Sequence, residues 1–215
     1  MQQKIGGASE SPPRRGYDNL RRQAQAHRTR ADIAEAARRL FISQGWASTT
    51  VREVAREAGV SVPTVYAAYG NKTGLVWALV DAADLPADPK RLLADLGAAT
   101  TPEKQLAAMA GYDRRLFERS GDLITLIREA GRTEADLATI YERVRRAADQ
   151  TRVDVFSSWP ASTLRPGVDL ATAVDVYAAL CNIDVYTILI HERGWPPDQI
   201  EHWWGQTLSR QLLDR

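Results

Sequence analysis

Residues 49–75 read TTVREVAREAGVSVPTVYAAYGNKTGL, two short helical patterns around a Gly-Val-Ser turn and the capped start of another. Thr50 suits the cap of a helix whose inner face is Val51, Val54, Ala55 and Ala58, with Gly59 ending it. Ser61 suits the cap of the next, with Pro63 in its first turn, where the missing N–H costs nothing. Val65 and Tyr69, four apart, fall on the inward side of that helix. Asn71 caps a further pattern through Leu75, Trp77, Leu79 and Val80 toward Asp84. Two short helices at this spacing form a helix-turn-helix, in which one crosses a DNA backbone and the second enters the major groove.

Upstream, from about Thr29 to Gln44, Ile33, Ala36, Ala37, Leu40 and Phe41 recur at three- and four-residue steps. They predict one buried face of a first helix, closed by Gly45. Residues 1–27 mix Gly, Ser, Pro, Gln and Arg with no apolar period, which predicts a flexible basic arm containing Arg14, Arg15, Arg21 and Arg22. Such an arm either adds phosphate or minor-groove contacts or is a solvated tail. Residues 28–75 then form a DNA-binding domain. Leu85 to Pro89 holds two prolines and breaks the fourth helix, so the domain change is placed near residues 76–90 and a second domain over 76–215.

That second part is again helical in pattern, with no alternating strand. Helices are expected near 90–98, 103–119, 121–131, 134–157, 169–193 and 197–213, with breaks at Pro102, Gly121, Pro160, Pro166, Gly167, Pro196 and Pro197. The predicted fold class is all-α: an amino-terminal three-helix helix-turn-helix domain and a carboxy-terminal helical ligand-binding and dimerisation domain.

The 215 residues are 44% hydrophobic and 26% charged, which excludes global disorder. Cys181 is the single cysteine, so no internal disulfide framework exists, and a reducing cytoplasm fits. No run of about 18 apolar residues and no apolar signal core is evident, which argues against secretion and membrane spanning. The net charge of +1 conceals an asymmetry: residues 1–80 carry 12 Lys+Arg and 6 Asp+Glu, and the remaining residues carry 16 and 21. A basic end on an acidic body points that end toward a polyanion.

Each motif residue has a physical task in that role. Thr50 and Ser61 leave hydroxyls and free amides at helix starts, which suits phosphate. Thr64 and Tyr66 lie on the face away from Val65 and can reach phosphate oxygens. Lys72, one residue past the Asn71 cap, adds a cation. Arg52 is the candidate for a bidentate guanine contact. Val62, Pro63 and Ala67 can touch bases only by packing, so few direct hydrogen bonds specify the site and DNA shape carries part of the selectivity.

The run GWASTTVREVAREAGVSVPTVYAAYGNKTGL resembles the DNA-binding domain of the tetracycline-repressor (TetR-like) family of bacterial regulators, without a gap from the first helix through Leu75. The resemblance implies phosphate contacts at Thr50, Thr64, Tyr66 and Lys72, and places Arg52, Val62, Pro63 and Ala67 near base edges. Tyr69 stands where the family often has Phe or His, and Ala67 and Ala68 where bulkier residues are frequent. The ending VYTILIHERGWPPDQIEHWWGQTLSRQLL is similar to the last two helices of TetR-like regulators, which dimerise there.

Residues 169–193 are apolar on more than one face, and a helix apolar all round must be covered on both sides. A homodimer through this helix and the next is therefore expected, with Val174, Cys181, Val185, Ile188, Ile200, Trp203, Trp204 and Leu208 at the interface. The resemblance implies a small-molecule pocket in the middle region, for which Tyr112, Phe117, Arg128, Tyr141, Trp159 and Tyr177 are the candidates. No cofactor is implied. His27, His191 and His202 have no metal-ligand spacing, and no Gly-x-Ser-x-Gly elbow or phosphate-cradling loop occurs, so neither a metal site nor an enzyme is expected. The sequence thus predicts a dimeric repressor of a pseudo-palindromic operator in double-stranded DNA, released by a small-molecule effector. The alternative is a DNA-binding regulator controlled by a protein partner or by abundance.

Overall fold

A computed structural model describes residues 14–160 and 162–214. Its elements are α1 (Arg14–Ser48), α2 (Val51–Glu57), α3 (Val62–Tyr69), α4 (Lys72–Ala87), α5 (Pro89–Ala98), α6 (Pro102–Ala130) and α7 (Ala135–Ser157). Then come α8 (Leu170–Leu180), α9 (Ile183–Thr187), a π-helical turn (Ile188–Glu192) and α10 (Pro197–Leu212). Among the described residues the one extended pairing is an antiparallel bridge between Leu164 and Leu213, so the fold is all-α.

Two apolar cores meet along α6. The first gathers Ile33, Ala37 and Phe41 of α1, Val54 and Val65 of the helix-turn-helix, Leu75 and Val76 of α4, and Leu123 and Ile127 of α6. The second holds Leu106, Met109 and Ala110 of α6 with Tyr177, Ile183, Trp204 and Leu208. At about 1.5 Å per residue, α6 is long enough to serve both. α4 likewise starts beside the helix-turn-helix and packs against α6. Residues 76–90, where the domain change is expected, fall in α4, the turn at Asp88 and the start of α5.

Five expectations are corrected. Residues 14–27 are the first turns of α1; the rest of the expected arm lies outside the described residues. Arg, Gln and Ala favour helix, so their missing apolar period reflects exposure. Exposure indeed prevails from Leu20 to Asp32, and Ile33 is the first residue after Leu20 to be buried. The fourth helix continues through Pro86 to Ala87. The helix expected to break at Gly121 is unbroken, because Gly121 is there for close approach: a Cβ would lie 2.8 Å from Ile183 Cδ1.

The single helix expected over 169–193 is split. Cys181 leaves the helical region (φ −96, ψ 75), and Asn182 restarts the chain by accepting from Asp184 N and Val185 N, each at 3.0 Å. A side chain that offers such local hydrogen bonds competes with a continuous helix. By composition Leu170–Glu192 is long and apolar enough to cross a membrane, against the expectation of no such run. The break at Cys181 interrupts it.

Candidate functional site

The helix-turn-helix is built from its caps. Thr50 Oγ1 accepts from Glu53 N at 3.2 Å, while Glu53 Oε2 accepts from Thr50 N at 2.8 Å, a reciprocal capping box. The Thr50 backbone N–H holds the Glu53 carboxyl below its ordinary value. Gly59, at φ +66, makes the turn in a region that glycine tolerates. Ser61 Oγ then accepts from Thr64 N at 3.3 Å, and Pro63 occupies the first turn of α3.

These caps leave one continuous outer face. Thr50, Arg52, Ser61, Pro63, Tyr66 and Ala67 are exposed, and Val62 and Thr64 are half-buried beside them. Tyr66 is 50% exposed, which puts a large aromatic ring in water with its hydroxyl outward of the core. Inward, Val65 is buried as its spacing requires. Tyr69 is only half-buried; its hydroxyl donates to the Arg30 carbonyl at 2.7 Å, and Arg30 returns a bond to Ala68 O at 3.0 Å, tying α1 to α3.

Lys72 departs from a free surface cation. Its Nζ donates to the Trp46 carbonyl and lies 4.0 Å from the Trp46 ring centroid, joining the end of α1 to the start of α4. Burial pushes its pKa down. An ammonium has three donors, so this anchoring leaves two for a phosphate.

A cavity of about 500 Å³ lies between α4, α5, α6, α7 and α8. Leu92, Leu96, Met109, Leu116, Leu123 and Ile127 supply much of its apolar wall. Volume and lining suit a drug-sized organic molecule. Of the six sequence candidates, Tyr112, Tyr141 and Tyr177 line it. The other three do not line it. Phe117 packs against Tyr186 and Trp204, Arg128 pairs with Asp184 and Glu129 on the surface, and the Trp159 ring stacks 4.7 Å from Phe156 while its Nε1 donates to Gln105.

Sequence reasoning missed Asp113 and Arg152, which face each other in this wall with N···O at 3.7 Å. A signal existed: Asp113 continues the stripe of Leu106, Met109 and Ala110, and Arg152 lies four before Phe156. A charge on the apolar stripe of a helix is buried and must be compensated. Burial pushes the Asp113 carboxyl up, against the pull of Arg152, and pushes the Tyr177 hydroxyl and Cys181 thiol well up.

Two helices link this cavity to the helix-turn-helix. Trp77, Val80 and Asp81 of α4 line the cavity, and the same helix begins at Lys72. On α6, Leu116 lines it, and one to two turns further on Arg38 of α1 is held by Asp122 at 2.8 and 3.0 Å and by the Arg119 carbonyl at 2.9 Å.

The expected interface residues divide. Ile200, Trp204 and Leu208 are fully buried within the one chain, and Val174 and Cys181 nearly so. Their assignment to a dimer contact is corrected: α10 turns this stripe onto α6, not outward. Val185 and Trp203 are half-buried and Ile188 is exposed, so these three remain at the surface.

Residues 33–79 match the family model described as bacterial regulatory proteins, tetR family. Over 61 residues the chain is 44% identical to the HTH-type transcriptional regulator TtgR of Pseudomonas putida, covering 28% of this chain and 29% of that one. It is 40% identical over 52 residues to the uncharacterized HTH-type transcriptional regulator YvkB of Bacillus subtilis (strain 168), covering 24% and 28%. The chain thus aligns with less than a third of the length of these curated relatives. Its fold extends the likeness. NalD, the secondary repressor of the MexAB-OprM multidrug efflux pump in Pseudomonas aeruginosa, superposes with a TM-score of 0.70 at 22% identity, covering 88% of this chain and 98% of that one. A Saccharomonospora viridis protein solved in complex with choline superposes with a TM-score of 0.70 at 18% identity, covering 88% and 100%. The chain is thus similar in sequence to the tetR family over residues 33–79 and similar in fold, over 88% of its length, to these solved proteins.

Proposed function

We propose that this protein is a cytoplasmic, homodimeric, sequence-specific DNA-binding transcriptional repressor, released by a small molecule that occupies the cavity between α4 and α7. The observation that carries the reading is shared structure: α4 and α6 wall the cavity and also hold the helix-turn-helix. A ligand that wedges these helices apart shifts α3, and linkage requires DNA to weaken the ligand by the same factor. Relatives agree in kind, one being named a repressor and another solved with a small molecule.

In this reading the outer faces of α8 to α10, through Val185, Ile188 and Trp203, pack against a second copy. Two α3 helices then enter successive major grooves about 34–36 Å apart on a pseudo-palindrome. Thr50, Ser61, Thr64, Tyr66 and Lys72 hold phosphates, Arg52 reads a guanine, and Val62, Pro63 and Ala67 pack near base edges.

Footprinting on the DNA flanking the protein's own gene tests the reading, with two protected half-sites one helical turn apart as the expected result. Arg52→Ala should relax preference at one base pair of each half-site by about 1–3 kcal/mol. Tyr66→Phe should weaken all sequences alike and leave the salt slope unchanged, because a neutral hydroxyl displaces no counterion. Unchanged preference in Arg52→Ala removes the guanine assignment. Operator affinity that no small molecule alters favours control by a protein partner or by abundance.

A further inference from the structure

At its inner end, where α6, α7 and α8 meet, the cavity wall carries Asp113 and Arg152, and Arg152 also pairs with Asp149, which lies outside the lining. Among the described residues Arg152 is the one cation there, and it is shared. Its Nη1 lies 2.5 Å from Asp149, while Asp113 is 3.7 Å from its Nη2, beyond hydrogen-bond reach. Two carboxylates thus share one guanidinium, and the more deeply buried of the two has the poorer contact. The Tyr177 hydroxyl stands beside Asp113, fully buried and without a hydrogen bond. The Arg152 guanidinium lies over the Tyr177 ring at 4.7 Å, so it is stacked as well as paired. The remaining charges in the wall, the exposed Asp81 and Arg143, are of opposite sign.

From this juxtaposition we infer that the effector is an apolar organic monocation, a protonated amine on a hydrophobic body, whose ammonium seats against Asp113. The inference rests on the cavity being the effector site and names the chemistry it selects. An N–H⁺ donor gives Asp113 the short charge-assisted bond that Arg152, drawn to Asp149, does not supply. Tyr112, Tyr141 and Tyr177 offer rings to the cation or its aryl body. An organic acid would place a second anion beside Asp113. A neutral hydroxyl would give Asp113 only the weaker bond of an uncharged donor.

Three probes that share one body separate these possibilities: 2-(biphenyl-4-yl)ethylamine, 2-(biphenyl-4-yl)ethanol and biphenyl-4-acetic acid. Their dissociation constants for the full chain are measured by calorimetry at neutral pH. The amine should bind about tenfold or more tighter than the alcohol, with the acid weakest. Asp113→Asn should erase the amine's advantage and leave the alcohol's affinity in place, which also reports that the variant is folded. The ranking in the unaltered chain stands whether or not that variant folds. If the alcohol or acid matches the amine, the cation inference is overturned while the effector cavity stands. If all three fail to bind, the cavity reading falls and the inference falls with it.

Discussion

Trp204→Ala should lower the stability of the chain by about 3–5 kcal/mol, the range for emptying a fully buried tryptophan site. Trp204 is fully buried, with Phe117 edge-on at 6.0 Å and Tyr186 at 6.3 Å, and with Ile200 and Leu208 buried on the same face of α10. Its indole N–H has no hydrogen-bond partner, so the loss is one of packing and not of a polar contact. Neighbours drawn from α6, α9 and α10 cannot all collapse into the void. Urea unfolding followed by circular dichroism gives the loss directly. Because Trp204 is covered by its own chain, the loss should be the same at low and high protein concentration. A variant that keeps its unfolding midpoint but dissociates would return Trp204 to a subunit interface.

Arg152→Leu should cost a similar amount, about 3–5 kcal/mol at neutral pH, with a pH signature that Trp204→Ala lacks. Removing the guanidinium leaves Asp113 buried beside Tyr177 without a cation. Burial already pushes the Asp113 carboxyl up and Arg152 opposes it, so its removal lets the value rise further. A carboxyl raised in the folded state favours folding when protonated. That contribution is complete below its unfolded value and is lost as pH rises through the folded one. The deficit of Arg152→Leu should therefore be largest at neutral pH and shrink on acidification. The double variant Asp113→Leu with Arg152→Leu should recover most of the loss. A deficit that is flat with pH and survives in the double variant would assign it to the packing of the arginine stem.

The helix-turn-helix was legible because every cue there is local. A cap such as Thr50, a turn glycine such as Gly59 and an inward valine such as Val65 each act within a few residues, and their order leaves one solution. The second domain was legible only in its helical character. Its stripes named Ile200, Trp204 and Leu208 as apolar, but no sequence pattern says whether a stripe meets its own chain or a copy. Gly121 looked like a helix breaker because its reason for being small, the Ile183 side chain, lies 62 residues away. Cavity residues failed for a related cause. Aromaticity selected Phe117 and Trp159, which are core, and passed over Asp113 and Arg152, whose burial follows from helix phase.

Cys181 sits at the break between α8 and α9, almost wholly enclosed, and its thiol is held well above the ordinary range by that enclosure. Thiolate is the reactive form, so maleimides and disulfide reagents should leave the folded chain untouched and modify it only in denaturant. The native background is therefore silent to site-directed labelling. A fluorophore or spin label on a new cysteine at an exposed position of α1 would report whether two copies pair in solution and at what separation, with and without duplex, and no prior removal of Cys181 is required.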